Sequence, residues 1–200
     1  ITNVSHDIKT PLTSIINYVD LLKRENIQDP KIQGYLDILE AKAQRLKHLT
    51  EDVVEASKIS SGNITMEYMN INFVEMINQT TGEFAEKFEK RNLQIVLNVP
   101  EKPVMVRTDG RRMWRVIENI YNNAAKYALE GTRVYADLIE KEHTVEFSLK
   151  NISEQPLNIS ADELTERFIR GDVSRSTEGS GLGLSIAKNL TELQGGKFEL

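Results

Sequence analysis

Cysteine is absent from the 200-residue sequence, and its absence excludes disulfides, iron–sulfur clusters and thiolate chemistry. Histidine is scarce, and His6, His48 and His143 do not have the spacing of metal ligands. No apolar run is long enough to span a membrane, and no signal peptide is visible. With a formal net charge of −5 at pH 7, the sequence argues against nucleic acid as a partner.

Hydrophobic residues make up 40% of the chain, which is enough for a packed core in one large domain or two small ones. The sequence opens inside a helical pattern without a Met or a cap, and it stops in the strand-like segment 197–200. We therefore expect it to be part of a longer protein.

The first 60 residues predict a helical hairpin. One amphipathic helix is predicted from Ile1 to about Glu25, and a second begins after Asp29 and Pro30, which suit a helix cap and first turn. Apolar residues alternate steps of three and four along both helices. These residues are Ile1, Val4, Ile8, Pro11, Ile15, Tyr18 and Leu22, then Ile32, Leu36, Leu39, Ala43, Leu46, Leu49 and Val53. Such a face is buried when two copies form a four-helix bundle; the alternative is packing against the rest of the same chain.

A histidine lies beside a carboxylate in the first helix. His6 falls off the apolar seam, so we expect it to face solvent, with Asp7 next to it and Thr10 one turn further on the same face. Pro11 removes a helical amide, which predicts a bend beside the histidine. This arrangement favours a phosphoryl acceptor over the alternative of a surface or packing histidine.

After a boundary at residues 60–63, helices and strands alternate. We predict strands at 64–68, 93–97, 132–140 and 144–150, and helices at 73–91, 111–128 and 183–194. The predicted fold class is α+β: a helical hairpin, then an α/β sandwich with a sheet covered on one face by helices.

Two motifs suggest a nucleotide site. Asn119 and Asn123 share one helix face with Lys126 nearby, so amide oxygens could hold Mg²⁺ and the ammonium could neutralise phosphate; the alternative is a polar surface. Gly179, Gly181 and Gly183 run directly into a helix, whose free amides can bind a polyphosphate. Residues 166–172 combine an aromatic ring with cations, and the small polar residues 173–179 suggest a lid.

Together these motifs resemble the H, N and G2 boxes of bacterial two-component sensor histidine kinases, and residues 166–172 resemble their F box. The resemblance implies a dimerisation and phosphotransfer hairpin at 1–61. It implies an ATP-binding domain of the gyrase, heat-shock chaperone and MutL-like superfamily at 62–200. It also implies ATP and Mg²⁺ as ligands, a response regulator and a second copy as partners, and a cytoplasmic location in a membrane-anchored parent.

The resemblance also implies roles for individual residues. His6 corresponds to the phosphoacceptor, Asp7 to its orienting acid, and Thr10 to the residue that positions water during dephosphorylation of the regulator. The expected nucleotide contacts are Asn119, Asn123 (the Mg²⁺ ligand), Lys126, Tyr127 (near the base), Arg170 (near the γ-phosphate), Gly179, Gly181, Leu182 and Gly183.

One segment departs from the family. The usual Asp-x-Gly-x-Gly box, whose Asp receives the adenine amine, is replaced by residues 150–156, with Asn151 at the Asp position and both glycines missing. We expect an ATP-dependent histidine kinase that also dephosphorylates its regulator. Two alternatives remain: a core that mainly dephosphorylates, with ATP as effector, and a dimeric scaffold that no longer uses nucleotide.

Overall fold

The computed structural model describes residues 2–25, 27–154 and 181–200, with residues 2–6 described by backbone alone. The described chain forms two compact units. Of the described residues, one unit contains 2–25, 27–64 and 181–182, and the other contains 65–154 and 183–200.

The first unit is a hairpin of α1 (Thr2–Arg24) and α2 (Pro30–Ser60). The predicted cap is present, because Asp29 accepts hydrogen bonds from the amides of Lys31 at 2.8 Å and Ile32 at 3.4 Å, while Pro30 occupies the first turn. These interactions satisfy amides that a helix start leaves unpaired. Helix α1 continues through Pro11.

The hairpin buries a different face of α1 from the predicted seam. In α2 the seam residues Leu36 and Ala43 are buried, whereas the buried residues of α1 are Leu12 and Val19, each one position after a seam residue. The other apolar seam members whose exposure is 40% or more form what we call the outer seam: Ile8, Ile15, Tyr18, Leu22, Ile32, Leu39, Leu46 and Val53. The outer seam is a candidate surface for packing against another helix pair.

The second unit mixes helices and strands. Its elements in chain order are β1 (Tyr68–Asn72), α3 (Phe73–Glu89), β2 (Gln94–Asn98), β3 (Met105–Asp109), α4 (Gly110–Tyr127), β4 (Arg133–Glu140), β5 (Val145–Asn151) and α5 (Gly183–Leu193). Strands β1 and β3 pair antiparallel, and β4 lies between parallel β2 and antiparallel β5. The α/β architecture is confirmed, with its described strands in two sheets rather than the single one expected.

Helices α3 and α4 cover one face of the larger sheet. Val134 and Ala136 of β4 are fully buried beneath them. The ring of Tyr121 stacks on that of Phe147, with centroids 6.2 Å apart, and its hydroxyl group is 2.8 Å from Oγ1 of Thr81. Burial raises the pKa of Tyr121, so the phenol remains neutral and contributes to the core.

The strand before α3 differs from its prediction. It begins at Tyr68 rather than at residue 64, and Tyr68 pairs with Asp109 at the end of β3, a strand that was not predicted. The strand ends at Asn72, whose Oδ1 accepts from the amide of Glu75 and caps α3. Long-range pairing and this cap, rather than local alternation, therefore set the bounds of β1.

A buried carboxylate anchors the start of α4. Asp109 is 2% exposed and accepts from the amides of Glu67 at 3.0 Å and Arg112 at 3.1 Å. Burial alone would raise the pKa of Asp109, but these amides, with the charges of Arg112 and Arg111, hold the pKa below its ordinary value. The charged carboxylate thus fixes the first turn of the helix that carries the asparagines.

Candidate nucleotide site

Helix α4 presents the predicted asparagine motif beside the core. Val116 and Ile117 are buried on its apolar side, while Asn119 is 8% exposed and Asn123 and Lys126 are half-buried. Within the described residues, the Nδ2 atom of Asn119 has no hydrogen-bond partner. A buried amide without a partner is costly, so this group is suited to binding a polar ligand.

The asparagine between the two has a different role. Asn122 Oδ1 accepts a 2.5 Å hydrogen bond from the Nζ atom of Lys87, so this side chain links α4 to α3. Asn122 therefore contributes to the contact between α3 and α4, and Asn119 and Asn123 remain as the candidate ligands.

The glycine motif meets the asparagine motif in the structure. A Cβ atom added at Gly183, the first residue of α5, would lie 3.3 Å from Oδ1 of Asn119. Ile186, Ala187 and Leu190, which follow Gly183 on the same face of α5, are buried. The start of α5 therefore packs closely against α4 at Asn119, and a side chain at residue 183 would require Asn119 to shift.

The residues that precede α5 have an unusual backbone. Gly181 has a φ of +71°, in the left-handed region that glycine adopts without strain, and Leu182 is buried. Helix α5 begins at the next residue, so its first amides, which have no partner within the helix, follow directly from this turn. This geometry is suited to anion binding.

Two further predicted residues lie at the end of α4. The Nζ atom of Lys126 is 4.7 Å from the ring centroid of Tyr127, a cation–π distance. The ring of Tyr127 is 40% exposed and could therefore contact a base. These two residues share the last turn of the helix that carries Asn119 and Asn123.

Asn151 occupies the final position of β5, where it pairs with Val134. Its side chain is exposed, and its Nδ2 atom donates to the carbonyl of Ile152 at 3.2 Å. The Oδ1 atom is thus the end of the amide that would accept from an adenine amine.

The phosphoacceptor motif lies in the other unit. His6, Asp7 and Thr10 are helical residues of α1, and the side chains of Asp7 and Thr10 are exposed. Arg170, Gly179, the F-box segment 166–172 and the proposed lid lie outside the described residues. Among the described residues, no cluster of three or more His, Cys, Asp or Glu side chains could hold a metal.

Two family descriptions match consecutive parts of the chain. Residues 1–62 match the family described as His Kinase A (phospho-acceptor) domain. Residues 108–200 match the family of histidine kinase-, DNA gyrase B- and HSP90-like ATPases. The chain belongs to the two-component sensor histidine kinases. The family predicted from the sequence motifs is therefore confirmed.

Individual relatives agree with this assignment. The sensor protein VanSC of Enterococcus gallinarum is 33% identical over 98% of this chain and 55% of its own length, so the chain spans about half the length of that protein. Full-length ShkA in complex with AMPPNP has a TM-score of 0.80 at 19% identity, covering 99% of this chain and 41% of ShkA. Histidine kinase ThkA in complex with response regulator TrrA has a TM-score of 0.62 at 23% identity, covering 99% and 55%. At these identities the two structures show a shared fold.

No helix in the described part of the chain is long and apolar enough to cross a membrane.

Proposed function

We propose that this chain is the ATP-dependent core of a sensor histidine kinase. The observation that carries the proposal is the contact between Gly183 and Asn119. It places the unpaired amide of Asn119 beside the N-terminus of α5, so two groups suited to phosphate lie together. The relatives support the same activity, since sensor proteins match nearly the whole chain.

Each nucleotide contact follows from the chemistry of its side chain. Asn119 can donate its unpaired amide to a phosphate oxygen, and Lys126 can neutralise phosphate charge. Asn123 offers an amide oxygen to Mg²⁺, which when bound would reduce the negative charge on the transferring phosphoryl group. Tyr127 and Asn151 would contact the base. Arg170 and Gly179, with Gly181, Leu182 and Gly183, complete the proposed site.

The reaction transfers a phosphoryl group to His6. A neutral ring nitrogen attacks the γ-phosphorus of ATP, the bond to the bridging oxygen breaks, and ADP leaves. Asp7 holds the other ring nitrogen in its protonated form, so the attacking nitrogen keeps its lone pair. The phosphoryl group then passes to an aspartate of a response regulator. Support for such a partner is the complex of the structurally similar ThkA with TrrA.

The hairpin would act as a dimer. The outer seam leaves large side chains exposed, among them Tyr18 at 69% and Leu22 at 46%, and a second copy would bury them in a four-helix bundle. We place the phosphotransfer hairpin at residues 1–61 and the ATP-binding domain at 62–200. Helix α2 ends at Ser60 and Gly62 has a φ of +67°, which suits a hinge between them. The longer protein is proposed to anchor this cytoplasmic core at a membrane.

Thr10 would serve the reverse reaction. It lies one turn after His6 on α1 and has no acid–base group near neutral pH. It could therefore position water for dephosphorylation of the regulator without contributing to phosphoryl transfer.

Incubation with γ-labelled ATP and Mg²⁺ tests this proposal and separates it from the alternatives. A kinase accumulates label on its own chain and releases ADP. A core that mainly dephosphorylates binds ATP but gains little label, and it removes phosphate from a phosphorylated regulator. A scaffold neither binds ATP nor gains label, and that result would contradict the proposal.

A further inference from the structure

The last turn of α4 is held by a side chain from outside the nucleotide motifs. Nη1 of Arg91, which follows α3, donates to the carbonyl of Ala125 at 3.0 Å and also to the carbonyl of Lys126. Nη2 of Arg91 is 3.1 Å from Oε2 of Glu154. One guanidinium thus joins the turn after α3, the end of α4 and the segment after β5.

The same segment is also tied to α4 through the backbone. The amide of Leu129 donates to the carbonyl of Ile152 at 2.7 Å, and the amide of Glu154 donates to the carbonyl of Tyr127 at 2.9 Å. A bridge pairs Ala128 with Ser153. We call residues 151–154, with these bonds, the strand-end wall.

The bonds from Arg91 to the carbonyls should matter more than its ion pair. The last carbonyls of a helix lack partners within the helix and carry partial negative charge, so a cation there is stabilising. The side chain of Arg91 is 27% exposed, whereas that of Glu154 is 56% exposed. Solvent therefore screens the carboxylate pair more than it screens the carbonyl contacts.

We propose that Arg91 is a positioning residue for nucleotide binding. Because Arg91 holds the carbonyl groups of Ala125 and Lys126, it fixes the positions of Lys126 and Tyr127 relative to the strand-end wall, which includes Asn151. The two glycines of the family's Asp-x-Gly-x-Gly box are absent from this chain. Glu154 lies between the two positions that those glycines would occupy, and it contacts Arg91. The inference rests on the proposed ATP-binding function of the same site.

Arg91→Gln is the main variant, and Lys90→Gln is its matched control. Lys90 is the neighbouring residue and makes an exposed ion pair with Glu86 at 2.7 Å, so its substitution removes the same charge without touching α4. We expect the KM for ATP to rise roughly tenfold in Arg91→Gln, the loss typical of a charge-assisted hydrogen bond. The kcat should change less than about twofold, because His6 and Asn123 are untouched.

The separation of KM from kcat identifies positioning. A residue that only supports folding would lower the active fraction, and so the apparent kcat, at unchanged KM. Glu154→Gln should raise KM less than Arg91→Gln, and Arg91→Lys should recover only part of the loss, because an ammonium cannot reproduce the fork of a guanidinium. An unchanged KM in Arg91→Gln, or an equal change in Lys90→Gln, would overturn the inference.

Hydrogen exchange without nucleotide provides an independent readout. In Arg91→Gln the amides of Leu129 and Glu154 should exchange faster than in the wild type, while those of β4 should not. Unchanged exchange at both amides would overturn the positioning role. If the wild type binds no ATP, the proposed function fails for a separate and recognisable reason, and this inference fails with it.

Discussion

Gly183 and Asn119 lie so close together that a side chain on the glycine would require the asparagine to shift. A Cβ atom at residue 183 would lie 3.3 Å from Oδ1 of Asn119 and 3.6 Å from its Cγ atom. Because the glycine starts α5 and the asparagine lies in the middle of α4, this contact brings together two motifs whose residues are 64 positions apart in the chain. The proposed phosphate site depends on it.

Gly183→Ala should weaken ATP binding several-fold while leaving the fold intact. The added methyl group would push against Asn119 and shift its amide, and a shift that weakens one hydrogen bond costs about 1 kcal/mol. Calorimetric titration with Mg²⁺-ATP measures the loss. Gly82→Ala is the matched control, since nothing lies within 4 Å of its added Cβ atom and alanine favours a helix. Equal ATP affinity in the two variants would show that the contact is irrelevant to binding.

Asn123→Ala should reduce Mg²⁺-dependent ATP affinity by about tenfold or more, because it removes a proposed oxygen ligand of the metal. The same substitution at Asn122 should leave that affinity nearly unchanged, since its Oδ1 is engaged by Lys87. Titrations with and without Mg²⁺ distinguish the two variants. If both bind Mg²⁺-ATP like the wild type, the helix face is only a solvated surface.

Asn151 should select adenine over guanine. Its Nδ2 is engaged by the carbonyl of Ile152, so its Oδ1 can accept from the adenine amine but would face the carbonyl of guanine. Asn151→Ala should weaken ATP binding by about 1–2 kcal/mol, the cost of leaving the amine unpaired. Affinities for ATP and GTP in both proteins provide the test. Unchanged ATP affinity with no base preference would place the adenine contact elsewhere.

Local signals in the sequence predicted most helix and strand positions. Asp29 caps α2 where the sequence predicted a helix cap, because a cap depends on a few adjacent residues. Strand β3 was missed because its five residues pair with β1, more than thirty positions earlier. Pairing over that distance leaves little local pattern.

The sequence predicted the motif residues of the site but not the residues that hold them in position. The asparagine and glycine patterns named Asn119 and Gly183, although only the fold could show that they touch. Arg91 could not be found in this way, since its partners Ala125 and Glu154 lie 34 and 63 positions away. No sequence pattern marks an arginine whose function depends on such distant groups.

Thr10→Ala should separate the two activities of the hairpin. The variant lacks the hydroxyl and γ-methyl groups of Thr10 but no acid–base group, so autophosphorylation should remain within about twofold, while dephosphorylation of a phosphorylated response regulator should slow by about tenfold or more. Both rates can be followed with labelled phosphate. Thr13→Ala is a control one turn away, as its hydroxyl donates to the carbonyl of Lys9 at 2.8 Å within the helix. An equal loss of both activities in Thr10→Ala would indicate a structural role.

The most direct test concerns the destination of the γ-phosphoryl group. Wild type and His6→Gln, each verified as a folded dimer by light scattering and circular dichroism, are incubated with γ-labelled ATP and Mg²⁺. We expect label on the wild type that is lost in acid and survives base, as a phosphorus–nitrogen bond requires, and no label on His6→Gln. Persistent label on a folded His6→Gln dimer would contradict the assignment of His6 as the phosphoacceptor.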